Sequence, residues 1–150
     1  FLLLQRVGRD LRRQGTGGSI VVQASKNVFA PGAGFGAYSA SKAAALQLAR
    51  IAALEFAEFG VCVNAVNADA VFGDDDVPSQ LWEGVGPERM QARGLDEAGL
   101  RDYYRNRSLL KTTVLPRHVG EAVVFFAAGR TPTTGAVLPV DGGLPEAFPR

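Results

Sequence analysis

The chain has 150 residues, 47% of them hydrophobic, with 16 basic and 15 acidic side chains and a formal net charge of +1. That length and composition suit one domain with a packed core, and the near-neutral balance leaves no strong field to draw nucleic acid or anionic lipid. A single cysteine, Cys62, and a single histidine, His118, exclude an intrachain disulfide and offer no metal-ligand set, which fits a reducing cytoplasm.

Residues 1–14 read as an amphipathic helix, with Leu3, Leu4, Val7 and Leu11 near helical spacing and Arg6, Arg9, Arg12 and Arg13 forming a solvated face. The basic residues follow the apolar ones, the reverse of a signal peptide, and no segment reaches the roughly 18 apolar residues of a membrane span. Phe1 in place of a methionine is read as a start inside a helix. Gly15, Gly17 and Gly18 stop that helix. Ser19–Ala24 is a short β-branched run expected as a buried strand, and 26–36 as a Gly-containing loop.

Tyr38 to Phe59 reads as a long alanine-rich helix closed by Gly60. Its apolar residues cover more than one stripe, so one side is expected on the sheet and the other on a second subunit. Val61–Asn67 follows as a buried strand, with Cys62 a buried small hydrophobe. Residues 68–115 form a long polar excursion with short helices near 87–93 and 96–106; such excursions often form a lid or binding wall. Pro116 opens a helix to about Ala128, with His118 expected at the surface, and 136–140 is the last strand before DGG and the tail LPEAFPR. Strands alternating with helices predict an α/β fold with a parallel sheet covered on both faces.

The chemistry-bearing group is Tyr38 and Lys42 in GAYSASKAAALQLA, with Ser25 thirteen positions before the tyrosine. Residues four apart share a helix face. An ammonium beside a phenol favours the phenolate, and a tyrosine so tuned can act as general acid or base while a serine hydroxyl holds the substrate oxygen. Ser39 and Ser41 lie off that face and read as local helix residues.

SIVVQAS, the thirteen-residue spacing, YSASKAAALQLARIAALEFAEFGVCVNAVN and GAVLPVDGG, in this order, resemble the C-terminal half of the short-chain dehydrogenase/reductase family over nearly all 150 residues. ASKN, AVFGD, LWEGVGPERM, YYRNRSLLK and VDGGLPEAFPR are similar to the dehydrogenase domain of bifunctional rhamnulose-1-phosphate aldolase/alcohol dehydrogenases. The resemblance implies half of a Rossmann-type doubly wound parallel sheet in a three-layer α/β/α arrangement. The domain expectation is that 1–150 is the C-terminal part of one dehydrogenase domain, with 74–110 as its substrate-binding excursion.

It also implies NAD as cofactor, with NADP not excluded, and no metal. Tyr38 would be the general acid/base, Ser25 the holder of the substrate oxygen, and Lys42 a ligand of the nicotinamide ribose. Tyr38, Lys42, Ala68 and Val71 would contact the cofactor. The family commonly carries an Asn/Ser-Pro-Gly turn where this chain has Asn67-Ala68-Asp69, so the subgroup's proline is an alanine here. Asp69 faces substrate or serves as a cap or turn residue. The implied substrate is a small hydroxy-aldehyde or alcohol, lactaldehyde in rhamnose breakdown, with a fused upstream aldolase, a homo-oligomer, and no nucleic acid or membrane partner.

GTGG at 15–18 follows a helix and enters a strand, the wrong order for a pyrophosphate cradle. The cradle, the residue selecting NAD over NADP and the family's asparagine are expected upstream of Phe1. One sheet edge is then open, an aggregation hazard, and residues 1–150 alone are expected to bind NAD weakly and to be inactive. The competing readings are a generic short-chain dehydrogenase on another alcohol or ketone, and a non-catalytic assembly domain.

Overall fold

The computed structural model describes residues 1–148; Pro149 and Arg150, the end of the expected tail, lie outside the described residues. Helix α1 spans Leu2–Gln14 and stops at Gly15, whose φ of 67° turns its amide back to the Leu11 carbonyl. The basic face of α1 is solvated as expected: Arg6 and Arg13 both pair with Asp10, and the Arg12 guanidinium lies 4.8 Å from the Phe59 ring centre.

Three parallel strands follow in the order β1-β2-β3: β1 Gly18–Gln23, β2 Val61–Ala68 and β3 Val137–Val140. Gly18 pairs with Val61 at one end of the β1–β2 ladder and Ala68 with Val140 at the far end of β2–β3. β2 is buried along nearly its whole length because it has a strand on each side and a helix over each face. The expectation of a buried β1 is corrected. Among the described residues β1 pairs only with β2, so Gly18, Ser19 and Gln23 are exposed and the centre is half-buried.

Side chains alternate across β2 as the pleat requires. Val61 and Val63 pack on Ala49, Ala52 and Ala53 of helix α2 (Gly36–Phe56), joined by Leu4 and Leu11 of α1. Val66 points the other way, onto Ala122 and Phe126 of helix α5 (Pro116–Ala127). The result is three layers, with α1 and α2 on one face and α5 on the other. Alanine on the inner face of α2 lets the helix lie close to the sheet; Ile51 and Leu54 face outward, Leu54 at 81% exposure.

Several boundaries move. α2 starts at Gly36 rather than Tyr38, and its last turn tightens to a 3-10 turn at Ala57–Phe59 before Gly60, φ 70°. Lys26–Val28 forms a 3-10 turn inside the expected loop. The excursion holds helices α3, Gln80–Arg93, and α4, Glu97–Arg107. α3 begins at Gln80, well before the expected 87, and Pro87 sits inside the helix. Cys62 is half-buried rather than buried, since it points away from α2 near the less covered end of β2. His118 is not a free surface residue: it is half-buried, and its Nδ1 accepts the Leu115 N–H at 3.1 Å, closing the start of α5. Among the described residues no helix is long and apolar enough to cross a membrane, and no group of three potential metal ligands occurs.

Candidate functional site

The C-terminal ends of parallel strands form the rim where ligands bind in open α/β sheets. At this rim β1 does not stop at Gln23 in its bonding, because the Ala24 N–H donates to the Val66 carbonyl at 2.8 Å. Ser25 follows in extended conformation, 7% exposed, and its Oγ accepts the Asn27 N–H at 3.3 Å as the cap of the next turn. Tyr38 is in the first turn of α2, 38% exposed, with its ring 5.9 Å from that of Phe35 and tilted by 59°.

Lys42 joins the two elements. Its Nζ donates to the Gln23 carbonyl at 3.0 Å and lies 5.8 Å from the Tyr38 ring centre. The residue pair on α2 is thereby fastened to the strand tip two residues before Ser25, and the three residues singled out from sequence share one rim. Ser41 is local, donating to the Tyr38 carbonyl at 2.7 Å, while the Ser39 Oγ is buried and without a partner.

Ala68 and Val71 flank the exit of β2. Ala68 is buried and its backbone belongs to the pairing with Val140. Ala70 takes the left-handed conformation, φ 44°, where the chain turns out of the sheet. The Val71 carbonyl accepts the Trp82 indole N–H at 2.9 Å, so this segment is fixed by α3. Asp69 is neither a helix cap nor a free substrate contact: its carboxylate pairs with Arg107 of α4.

Sequence reasoning missed the framework built on that pair. Arg107 lies 4.5 Å from the Tyr104 ring centre, and Tyr104 closes an aromatic group in which Phe72 and Trp82 stack at 4.4 Å. Arg89 of α3 sits 4.1 Å over Phe35, with Nη1 3.5 Å from the Tyr104 hydroxyl. The aromatic and basic composition of LWEGVGPERM and YYRNRSLLK was the available signal. The DGG turn is also part of it: Gly142 and Gly143 carbonyls accept the Leu110 and Leu109 N–H groups at 3.0 and 2.9 Å.

A concavity of about 300 Å³ lies at the opposite rim and is lined by Gly18, Ser19, Gly60, Cys62 and Phe126 among others. Cys62 is the one titratable side chain among those lining it. A small hollow beside Asp69, Phe72, Tyr104 and Asp141 marks the β2–β3 end of the active rim.

A nicotinamide cofactor is tested by the donors at this rim. Lys42 uses one N–H on Gln23 and retains two others. The Asn67 amide, 1% exposed near the end of β2, has neither its oxygen nor its nitrogen paired among the described residues. Buried amides left so are costly, and a ribose hydroxyl or carboxamide has the groups to satisfy them. The residues present fit the ribose–nicotinamide end. The glycines at 15, 17 and 18 join α1 to β1 at the opposite rim and are not a pyrophosphate cradle.

Residues 1–75 match the model of the short chain dehydrogenase family. The chain belongs to that family. It is 38% identical over 151 aligned positions to the uncharacterized oxidoreductase YuxG of Bacillus subtilis (strain 168), covering all of this chain and 22% of that protein. It is 33% identical to the 2,3-dihydro-2,3-dihydroxybenzoate dehydrogenase of Escherichia coli (strain K12), covering 95% of this chain and 55% of that enzyme. The actinorhodin polyketide ketoreductase with NADPH superposes with a TM-score of 0.75 at 26% identity, over 88% of this chain and 48% of that one. The chain thus spans about half the length of the latter two, and about a fifth of the first.

Proposed function

We propose that this chain supplies the reaction-centre part of an oxidoreductase that interconverts an alcohol and a carbonyl compound. The observation that carries the reading is the Lys42 bond to Gln23, which holds the Tyr38–Lys42 turn against the strand tip that ends in Ser25. Ser25 Oγ hydrogen-bonds the substrate oxygen. Tyr38 Oη takes the alcohol proton in oxidation and returns it to the carbonyl oxygen in reduction. Lys42, Tyr38, Ala68 and Val71 would hold the nicotinamide end of NAD or NADP, which supplies or accepts the hydride when bound. The NADPH of the ketoreductase supports NADP.

The finer reading is a small hydroxy-aldehyde or alcohol as substrate, with lactaldehyde of rhamnose breakdown as the specific case. In this reading, residues 1–150 are the C-terminal part of one dehydrogenase domain, and 74–110 wall the substrate pocket. The parent is a cytoplasmic homo-oligomer with an upstream aldolase. A relative of which this chain spans only 22% supports a long parent.

The test uses the full-length natural protein. Tyr38→Phe should lower nicotinamide-linked turnover of small hydroxy-aldehydes at least a hundredfold while cofactor binding, followed by fluorescence, persists. Wild-type turnover in that variant would overturn the assignment of Tyr38.

A further inference from the structure

We propose that the mouth of this site binds an oxyanion, with Lys26 and Arg89 as the residues that recognise a carboxylate or phosphate carried by the substrate. The proposal rests on the assignment of Ser25 and Tyr38 to the reacting oxygen, and not on lactaldehyde as substrate.

The argument starts from where cations are buried. Among the described residues, five basic side chains are neither buried nor exposed: Lys26, Lys42, Arg89, Arg101 and Arg107. Arg101 pairs with Glu97 and Arg107 with Asp69. Lys26, Lys42 and Arg89 have no carboxylate partner among the described residues, and all three border the Ser25–Tyr38 rim. Lys42 is already assigned to the nicotinamide end of the cofactor in the proposed function. The other two remain. A cation drawn out of water without a counter-charge is unfavourable, so such groups mark a place for an anion.

Their positions border the two residues assigned to the reacting oxygen. Lys26 immediately follows Ser25, and its Nζ donates to the Ala30 carbonyl at 3.0 Å, which keeps the ammonium beside the turn that Ser25 caps. Arg89 stands on the tyrosine side. Its guanidinium carbon is 4.1 Å from the Phe35 ring centre, which is 5.9 Å from the Tyr38 ring centre. It is thus no farther from the Tyr38 ring than those two distances end to end.

The chemistry of the two groups suits an oxyanion. Stacking on Phe35 occupies the flat face of the Arg89 guanidinium and leaves its N–H edge for acceptors in the plane, the arrangement that grips carboxylate or phosphate. Among the described residues its side-chain hydrogen-bond partner is the Tyr104 hydroxyl, at 3.5 Å. Burial is the main influence lowering the affinity of Lys26 for its proton, and Arg107 and Arg89 act in the same direction. The opposing carboxylates are Asp69, already held by Arg107, and the exposed Glu146. An anion between Lys26 and Arg89 would answer both cations. A neutral hydroxy-aldehyde fills the reactive end and leaves them unanswered.

The experiment compares kcat/KM of the full-length protein for three small aldehydes: neutral glyceraldehyde, glyceraldehyde 3-phosphate, and the carboxylate tartronate semialdehyde. At least a tenfold preference for one of the charged pair is expected, and which of the two leads identifies the anion. Arg89→Gln and Lys26→Gln should each shrink that preference at least tenfold, with Arg89→Lys restoring part of it. Calorimetric titration with inorganic phosphate and malonate reads the same site without turnover: binding should survive Tyr38→Phe and fail in Arg89→Gln. A preference for neutral glyceraldehyde, or phosphate and malonate binding untouched by Arg89→Gln, would overturn the proposal and leave Arg89 as a brace between Phe35 and Tyr104. Anion binding without turnover of any aldehyde would instead count against the oxidoreductase reading alone.

Discussion

Lys42 donates from Nζ to the carbonyl of Gln23, 3.0 Å away and 19 positions earlier in the chain. The bond spans from the second turn of a helix to the last residue of strand β1, so it fixes the helix turn carrying Tyr38 relative to the strand tip before Ser25. Replacing Lys42 with methionine keeps most of the packing of its stem and deletes the donor. Turnover of the full-length protein is expected to fall at least a hundredfold, with Lys42→Arg recovering little because a planar guanidinium does not reproduce a point donor. Steady-state kinetics of both variants beside their melting curves checks this.

The Asp69–Arg107 pair ties the exit of β2 to the end of α4 with little water around either group. Breaking such a pair from one side leaves the other charge uncompensated. Asp69→Asn or Arg107→Met should each destabilise by about 2–4 kcal/mol, discounted toward the lower end because the Arg107 side chain keeps 27% of its exposure. The double variant should cost less than the two singles together. A denaturant-based double-mutant cycle measures the coupling, and additive losses would contradict it.

Gly142 has φ 69°, and a Cβ there would meet Ser108 Oγ at 2.9 Å and Ser108 Cβ at 3.0 Å. Gly142→Ala combines a left-handed backbone with a crowded contact, a cost of about 1–3 kcal/mol. Because the same turn accepts the Leu109 and Leu110 N–H groups, hydrogen exchange at those two amides should quicken more than at the β1–β2 ladder.

Lys26 has its proton affinity lowered from 10.5, chiefly by burial. A lysine lowered on folding binds fewer protons in the native state than in the unfolded chain. Stability therefore rises with pH between the folded value and 10.5, and the cost of charging the buried group is fully present below the folded value. Lys26→Met should raise stability at pH 7 and remove this part of the alkaline rise. Melting curves at stepped pH values test the sign.

The strand–helix alternation, the parallel sheet and the seating of Tyr38 and Lys42 were legible because they rest on local signals: β-branched runs, alanine-rich helix and a four-residue spacing. The burial of β1 was misjudged because apolar content reports what a strand could bury, and neighbours decide what it does bury. The start of α3 was hidden by Pro87, which serves a helix start as well as an interior position. Asp69–Arg107 and Arg89–Phe35 were not legible at all. Their partners are 38 and 54 positions apart, and only the folded excursion brings them together.

The parallel order of the three strands sends every turn of one kind to one rim. Gly15–Gly17, Gly60 and the stretch Thr131–Gly135 gather where the strands begin, away from Ser25 and Tyr38. That end of the molecule is the place to graft a fluorophore, a purification tag or a tether to a surface. A label at Thr131 would report on folding of the sheet while leaving the rim that carries Ser25 and Tyr38 unencumbered.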